Sequence, residues 1–169
     1  GGATTVFEQT TFAYQLPSPG LSEAELDLHM EGDAAFEAKF VTAPAPVNPG
    51  LGPVFNNNSC NGCHIRNGRG MAVIGDGGLR SQMLVRVSLP EGAGDPAHPG
   101  GAVPLPGVGT QLGDHAIFGE APEATINLRW IEAPGEYADG TAYSLRQPAL
   151  DILLADGNPL PDQAMTSLR

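Results

Sequence analysis

Cysteine is nearly absent from this chain: only Cys60 and Cys63 occur in 169 residues, and they share a single C-x-x-C. A framework of structural disulfides is therefore excluded, and a bridge between these two would close too small a loop to staple much. Basic residues are also scarce. One lysine and seven arginines stand against nineteen acids, for a formal net charge of -11. Such a surface does not suit nucleic acid, whose phosphates demand a basic face, nor does it suit anionic lipid. No apolar run approaches the roughly 18 residues of a membrane-spanning helix, so no membrane span is expected in this chain. The opening Gly1-Gly2-Ala3-Thr4-Thr5 lacks the basic and apolar regions of a signal peptide. An exported protein would be read here in its mature form.

Glycine and proline, by contrast, are abundant at 23 and 16 residues, without a repeat or biased tract. Apolar residues are spread along the whole length, which implies one ordered domain with many turns and long surface segments. A core of this kind usually needs a further staple, and a bound cofactor would supply one. The acids are uneven: seven fall between Glu8 and Glu37, and none between Lys39 and Gly75. That acid-free window contains Arg66, Arg69 and the two cysteines. It suits a cofactor bearing carboxylates, although a solvated acidic helix near the N-terminus accounts for the acids as well.

Leu21 to Phe40 reads as helical, with Ser22 and Glu25 forming a capping box and an acidic first turn. Gly32 is expected to break it in two, leaving Phe36 and Phe40 one turn apart on the second piece. Thr42 to Pro53, with four prolines and two glycines, is extended loop. Asn56 to Ser59 supply good N-cap residues, and a short helix opens at Cys60. Beyond Gly70 the pattern turns to strands. Met83 to Leu89 has the alternation of a short strand, and Pro90 to Gly113 is a Gly/Pro-rich excursion. Ala124 to Glu132 and Thr141 to Arg146 read as a hairpin with Asp139-Gly140 in its connection. The stretch from Ala155 to Arg169 shows no convincing period.

The chemistry lies in Cys60-Asn61-Gly62-Cys63-His64. Haem c is tethered by two thioether bonds from cysteines to porphyrin vinyl groups, and two intervening residues set the sulfur spacing on a helical turn. The adjoining histidine then serves as proximal iron ligand. C-x-x-C-H is thus a specific pattern, and here it uses every cysteine in the chain. A Cys2His2 zinc site would need two of His29, His64, His98 and His115, but no spaced histidine pair follows the cysteines. A thioredoxin-like redox pair would need a βαβ setting that is not apparent. One covalent haem c, iron included, is therefore the expected cofactor, and its attachment implies a periplasmic or extracellular location. The expected fold is mixed: a cytochrome c-like α-helical haem core, long Gly/Pro-rich loops and a small antiparallel β-hairpin region. Residues 1–169 form one haem domain, with a haem-binding core at 20–80 and strand and loop elaboration at 81–169.

Around the motif, Leu51-Gly52-Pro53-Val54-Phe55-Asn56, Ser59 to His64 and Arg66-Asn67-Gly68-Arg69-Gly70 resemble the haem segment of the bacterial di-haem oxidoreductase family. Its members are often labelled thiol oxidoreductases or peroxidases. The resemblance continues in Met83 to Ser88, in Tyr137-Ala138-Asp139-Gly140 and in Leu145-Arg146-Gln147-Pro148, covering about residues 21 to 169. Members of that family are longer and carry a second CxxCH, which is absent here. The chain is then either a part of a longer two-haem protein or a one-haem version working beside another subunit. A two-haem mechanism does not follow for this chain alone, and the peroxidase label rests on analogy.

The distal iron ligand decides between carrier and catalyst. Methionine or histidine there favours electron transfer, and an open position permits peroxide chemistry. Among Met30, Met71, Met83 and Met165, Met83 is the first choice, because Met71 follows His64 too closely to reach the opposite face. His115 and His29 come next, and each of these residues has an ordinary packing or hydrogen-bonding role open to it. Arg66, Arg69, Arg80 and Arg86 are candidates for haem propionate contacts. Asn57 and Asn58 are cap candidates, and Trp130 is either an electron relay or a packing residue of the hairpin. The leading expectation is an electron-transfer haem domain whose partner is a redox protein or a second haem subunit in a hetero-oligomer. An open-iron, peroxidase-like oxidoreductase is the second reading. A structural or assembly subunit whose haem stabilises an interface is the third. No catalytic residue can be assigned.

Overall fold

The computed structural model of the chain describes residues 2–75, 81–92 and 99–169. Arg80 and His98 lie outside the described residues, as does part of the excursion expected from Pro90 to Gly113. Among the described residues there are two α-helices, α1 (Glu23–Glu37) and α2 (Cys60–Cys63). Six strands accompany them: β1 (Val54–Phe55), β2 (Val85–Ser88), β3 (His115–Ala116), β4 (Ala124–Glu136), β5 (Ala142–Leu154) and β6 (Met165–Leu168). They pair antiparallel as β1 with β3, β2 with β6 and β4 with β5.

This arrangement corrects the expected cytochrome c-like α-helical core. Helix α1 buries no residue and α2 is a single turn, so neither can centre an apolar core. The reason is visible in α1. Leu26, Leu28 and Met30 are spaced by two, which at 100° per residue scatters them around the helix instead of gathering a stripe. All three are exposed, and the half-buried positions are His29, Asp33 and Phe36. The capping box forms as expected: Ser22 Oγ accepts from Glu25 N, and Glu25 Oε2 accepts from Ser22 N at 2.8 Å. Gly32 does not break the helix, which runs through it without interruption.

The core is instead built by strands and the segments between them. Val85 and Val87 alternate inward on β2, and Ala124 and Ile126 do so on β4. Ile74, Leu105 and Leu112 complete the cluster, with Leu112 fully buried. Period-two alternation of this kind is what a half-buried strand requires. β6 lies along one side of β2, and the 110–112 segment also bonds to it, through Val87 N to Thr110 O (3.1 Å) and Leu112 N to Val85 O (3.0 Å).

The hairpin β4–β5 turns at Asp139-Gly140, but each strand is thirteen residues long, well beyond the expected extent. Tyr137 N donates to Thr141 O, Gly140 N to Tyr137 O and Thr141 N to Asp139 Oδ1, and Gly140 takes φ +83°, which suits glycine. Only the Ala124 end of the hairpin reaches the core. Beyond Leu128 it is largely solvent-exposed on both faces, with Ile131, Leu145 and Tyr137 uncovered. The 155–169 stretch, which showed no period, supplies β6.

Candidate haem-binding site

The CxxC motif occupies α2. Ser59 is its N-cap, accepting from Gly62 N at 2.9 Å, so the cap role expected of Asn57 or Asn58 falls to Ser59. The two asparagines do other work. Asn58 O accepts from Phe40 N at 2.8 Å, which ties the chain leaving α1 to the motif, and Asn57 Nδ2 donates to Ser81 O at 3.0 Å. Cys60 and Cys63 are free thiols, Cys60 exposed and Cys63 half-buried. Burial pushes the Cys63 thiol up from its ordinary range, and the nearby Asp114 carboxylate and Cys60 push the same way. A protonated Cys63 is consistent with its contact to the Ser81 carbonyl, 3.3 Å from Sγ.

His64 Nδ1 lies 3.0 Å from Gly68 O. A carbonyl can only accept, so Nδ1 donates in this contact and Nε2 is the nitrogen that points away from it. That is the state a metal-ligating histidine takes when a backbone carbonyl orients its ring. Phe36 of α1 stands beside the ring, with centroids 6.1 Å apart. The turn after His64 is braced on α1 by Asn67 Nδ2 donating to Asp33 Oδ1. The inner face of α1 therefore serves the motif more than it serves the core.

His64 and Cys63 open onto a cavity of about 630 Å³ whose walls include Met83, Leu84, Leu168, Gln82, Arg69 and Arg169. This is the size range of small-molecule and cofactor sites. Of the residues expected at a haem site, the structure brings Cys63, His64, Arg69 and Met83 together here. Cys60 is on the same helical turn but is not part of the cavity wall. Gly70, also in the wall, could not be another residue without displacing backbone: an added Cβ would fall 2.5 Å from Cys63 O and 2.6 Å from Gln82 O.

Other candidates lie elsewhere. Arg66 adopts a left-handed backbone (φ 54°) that turns its guanidinium to Thr11 and over the Phe12 ring, 4.5 Å from the centroid. Arg86 is spent on Thr110, with Nε 2.8 Å from its carbonyl, and lines a different cavity together with Met165. Met30 and Met71 are exposed. His29 is half-buried on α1, and His115 on β3 donates Nδ1–H to Asp114 at 3.0 Å and stacks on Phe55. Trp130 lies on the exposed part of β4 with the Arg146 guanidinium 5.1 Å from its ring centroid. Among the described residues no three His, Cys, Asp or Glu side chains assemble in a way that could hold a metal ion.

Leu168 and Arg169, from the stretch without a period, are wall residues that the sequence did not signal. The β2–β6 pairing extends past the strand end through Leu84 N to Arg169 O (2.8 Å) and Arg169 N to Leu84 O (2.9 Å), and this brings Arg169 to the cavity. The residues present fit a haem: one oriented imidazole, thiols on the same helical turn, an apolar strand wall and two arginines. A model of the family described as "Di-haem oxidoreductase, putative peroxidase" matches residues 1–164. No curated protein and no solved structure gives a significant match to the chain.

Proposed function

Since the chain belongs to the di-haem oxidoreductase family, matched over residues 1–164, we propose that it carries one haem c and passes electrons through it within an exported redox protein or complex. Cys60 and Cys63 would tether the haem and His64 would ligate its iron. The observation that carries this reading is the shared cavity, where His64, its Nδ1 already taken by Gly68 O, and Met83 stand in one wall system. Bound there, haem supplies a one-electron iron centre whose potential follows axial ligation and burial.

The chain's residues divide the remaining work. Gly68 O orients the imidazole through Nδ1 and leaves Nε2 to face the iron. The Met83 thioether would offer the iron a neutral sulfur donor; its backbone N–H lies 3.2 Å from Val73 O, and its side chain packs against the core. Leu84 and Leu168 give the cavity apolar wall, and a lower dielectric beside them would raise the cost of net charge. Arg69 and Arg169 offer planar donor forks to the propionate carboxylates. The acidic surface favours a basic redox partner, or a second haem subunit that covers part of it. No helix among the described residues is long and apolar enough to cross a membrane.

A peroxidase-like reading is favoured by the family's description and would need an open distal position. Carbon monoxide added to the reduced protein separates the two. Slow, weak binding in the native protein that becomes fast in Met83→Ala supports methionine ligation and electron transfer. Fast binding in the native protein, unchanged in Met83→Ala, overturns that assignment and favours catalysis.

A further inference from the structure

Ser81 is fully buried although polar, and it is the hub of a network beneath the motif. Its carbonyl accepts from Asn57 Nδ2 at 3.0 Å and from Cys63 Sγ at 3.3 Å. Its hydroxyl donates to Asp114 Oδ2 and accepts from Gly75 N at 2.7 Å. Asp114 Oδ1 in turn accepts from Asn56 Nδ2 at 2.9 Å, and the second hydrogen of that amide goes to Leu112 O at 2.7 Å. Gln111 Nε2 fills the Asn56 oxygen at 3.0 Å. Every member is satisfied, and a fully satisfied buried network is rigid. It therefore has one arrangement, and in that arrangement it holds one sulfur of the pair. Cys60 is exposed.

We propose that Asn57 and the Ser81–Asp114–Asn56 network are positioning residues for covalent attachment at Cys63. This rests on the haem c reading above. The step itself is an addition: the Cys63 S–H adds across a porphyrin vinyl group. One S–C and one C–H bond form as the S–H bond and the vinyl π bond are lost, with no electrons left over and no co-reactant. The Ser81 carbonyl accepts from Cys63 Sγ at 3.3 Å and fixes the side-chain torsion, so Cys63 is presented in one orientation. Holding a reacting group in place in this way removes part of the entropic barrier. Gly62 belongs to the same seat: a Cβ there would fall 2.0 Å from Asn57 Oδ1 and 2.5 Å from its Cγ, so any side chain at 62 would evict the Asn57 amide.

The test is a thiol count at each cysteine in protein matured with haem in an exporting host. The purified holoprotein is denatured, treated with iodoacetamide and digested, and the motif peptide is weighed. Native protein should have neither sulfur free. Asn57→Ala and Gly62→Ala should both leave unreacted Cys63, about tenfold more of it than unreacted Cys60. Leu105→Ala removes core packing away from the network and should leave both sulfurs bonded. Full attachment of both sulfurs in Asn57→Ala and Gly62→Ala overturns the proposal while the haem reading stands. Equal loss at Cys60 and Cys63, or free Cys63 in Leu105→Ala as well, overturns it by making the effect one of general stability. Native protein with no covalent haem overturns the haem reading and the proposal with it.

Discussion

Replacing Gly70 by alanine should destabilise the protein, whereas the same replacement at Gly32 should stabilise it. At Gly70 the new Cβ would lie 2.5 Å from Cys63 O and 2.6 Å from Gln82 O. Carbon and oxygen ordinarily approach to about 3.3 Å, so each clash must open by roughly 0.7 Å. Both atoms are backbone: one ends the motif helix and the other belongs to the segment leading into β2, so no rotamer change relieves the contact. Overpacking of this sort costs about 1–3 kcal/mol, and alanine's smaller unfolded-state entropy returns only about 0.4–1 kcal/mol. The net expectation is a loss of about 1–2 kcal/mol. At Gly32, inside α1, nothing lies within 4 Å of the added Cβ, and alanine should gain about 0.5–1 kcal/mol in helix propensity. Urea unfolding of the holoprotein reads both. With a slope of about 1–3 kcal/mol per molar urea, the Gly70→Ala midpoint should fall by roughly 0.5–1 M and that of Gly32→Ala should rise by a few tenths. A Gly70→Ala midpoint at or above the native value would refute the steric reasoning, and a fall for Gly32→Ala would mean that α1 is packed in a way its exposure does not reveal.

Truncating Leu112 to alanine should cost about 2–5 kcal/mol in the same assay, because the side chain is fully buried and its neighbours are tied down by strand bonds. In haem-free protein at neutral pH, iodoacetamide should modify the exposed Cys60 well before Cys63. Burial, Asp114 and Cys60 all hold the Cys63 thiol protonated, and only the thiolate reacts. Asp114→Asn should quicken Cys63 alone, and equal rates at the two cysteines in the native protein would contradict this. On the hairpin, the Arg129 guanidinium 2.7 Å from Asp151 holds that carboxyl below its usual range. A lowered folded value means that the pair's contribution is present above the unfolded carboxylate range and lost as pH falls through the folded one. Both side chains are exposed, so Arg129→Ala should return the Asp151 titration upward in an NMR measurement while leaving the urea midpoint at neutral pH unchanged in moderate salt. A large midpoint shift would mean that the pair is far less screened than its exposure implies.

What could be read from the sequence was whatever is encoded locally. The CxxCH spacing, the Ser22–Glu25 box and the Asp139-Gly140 turn are each contained in a few consecutive residues, and each forms in the structure. The helical core failed because its expectation came from the motif and not from α1 itself, whose inward positions His29, Asp33 and Phe36 carry one apolar side chain among three. Strand β6 was invisible because Met165 to Leu168 form a short, largely exposed strand whose partner is β2, far earlier in the chain. Arg66 lies next to the motif in sequence yet is turned away by one left-handed residue, while Arg169, remote in sequence, is brought to the cavity by strand pairing. The Ser81 network joins residues up to 58 positions apart, and polar residues scattered in this way have no periodicity to find.

One measurement bears most directly on the central claim: the intact mass of protein matured in an exporting host, taken with its oxidised and reduced absorption spectra. The account predicts a mass higher by one haem that survives denaturation, and a sharp low-spin reduced α band, both lost or altered in His64→Ala. An unchanged mass with no haem absorption would contradict it, most plainly if zinc were bound instead.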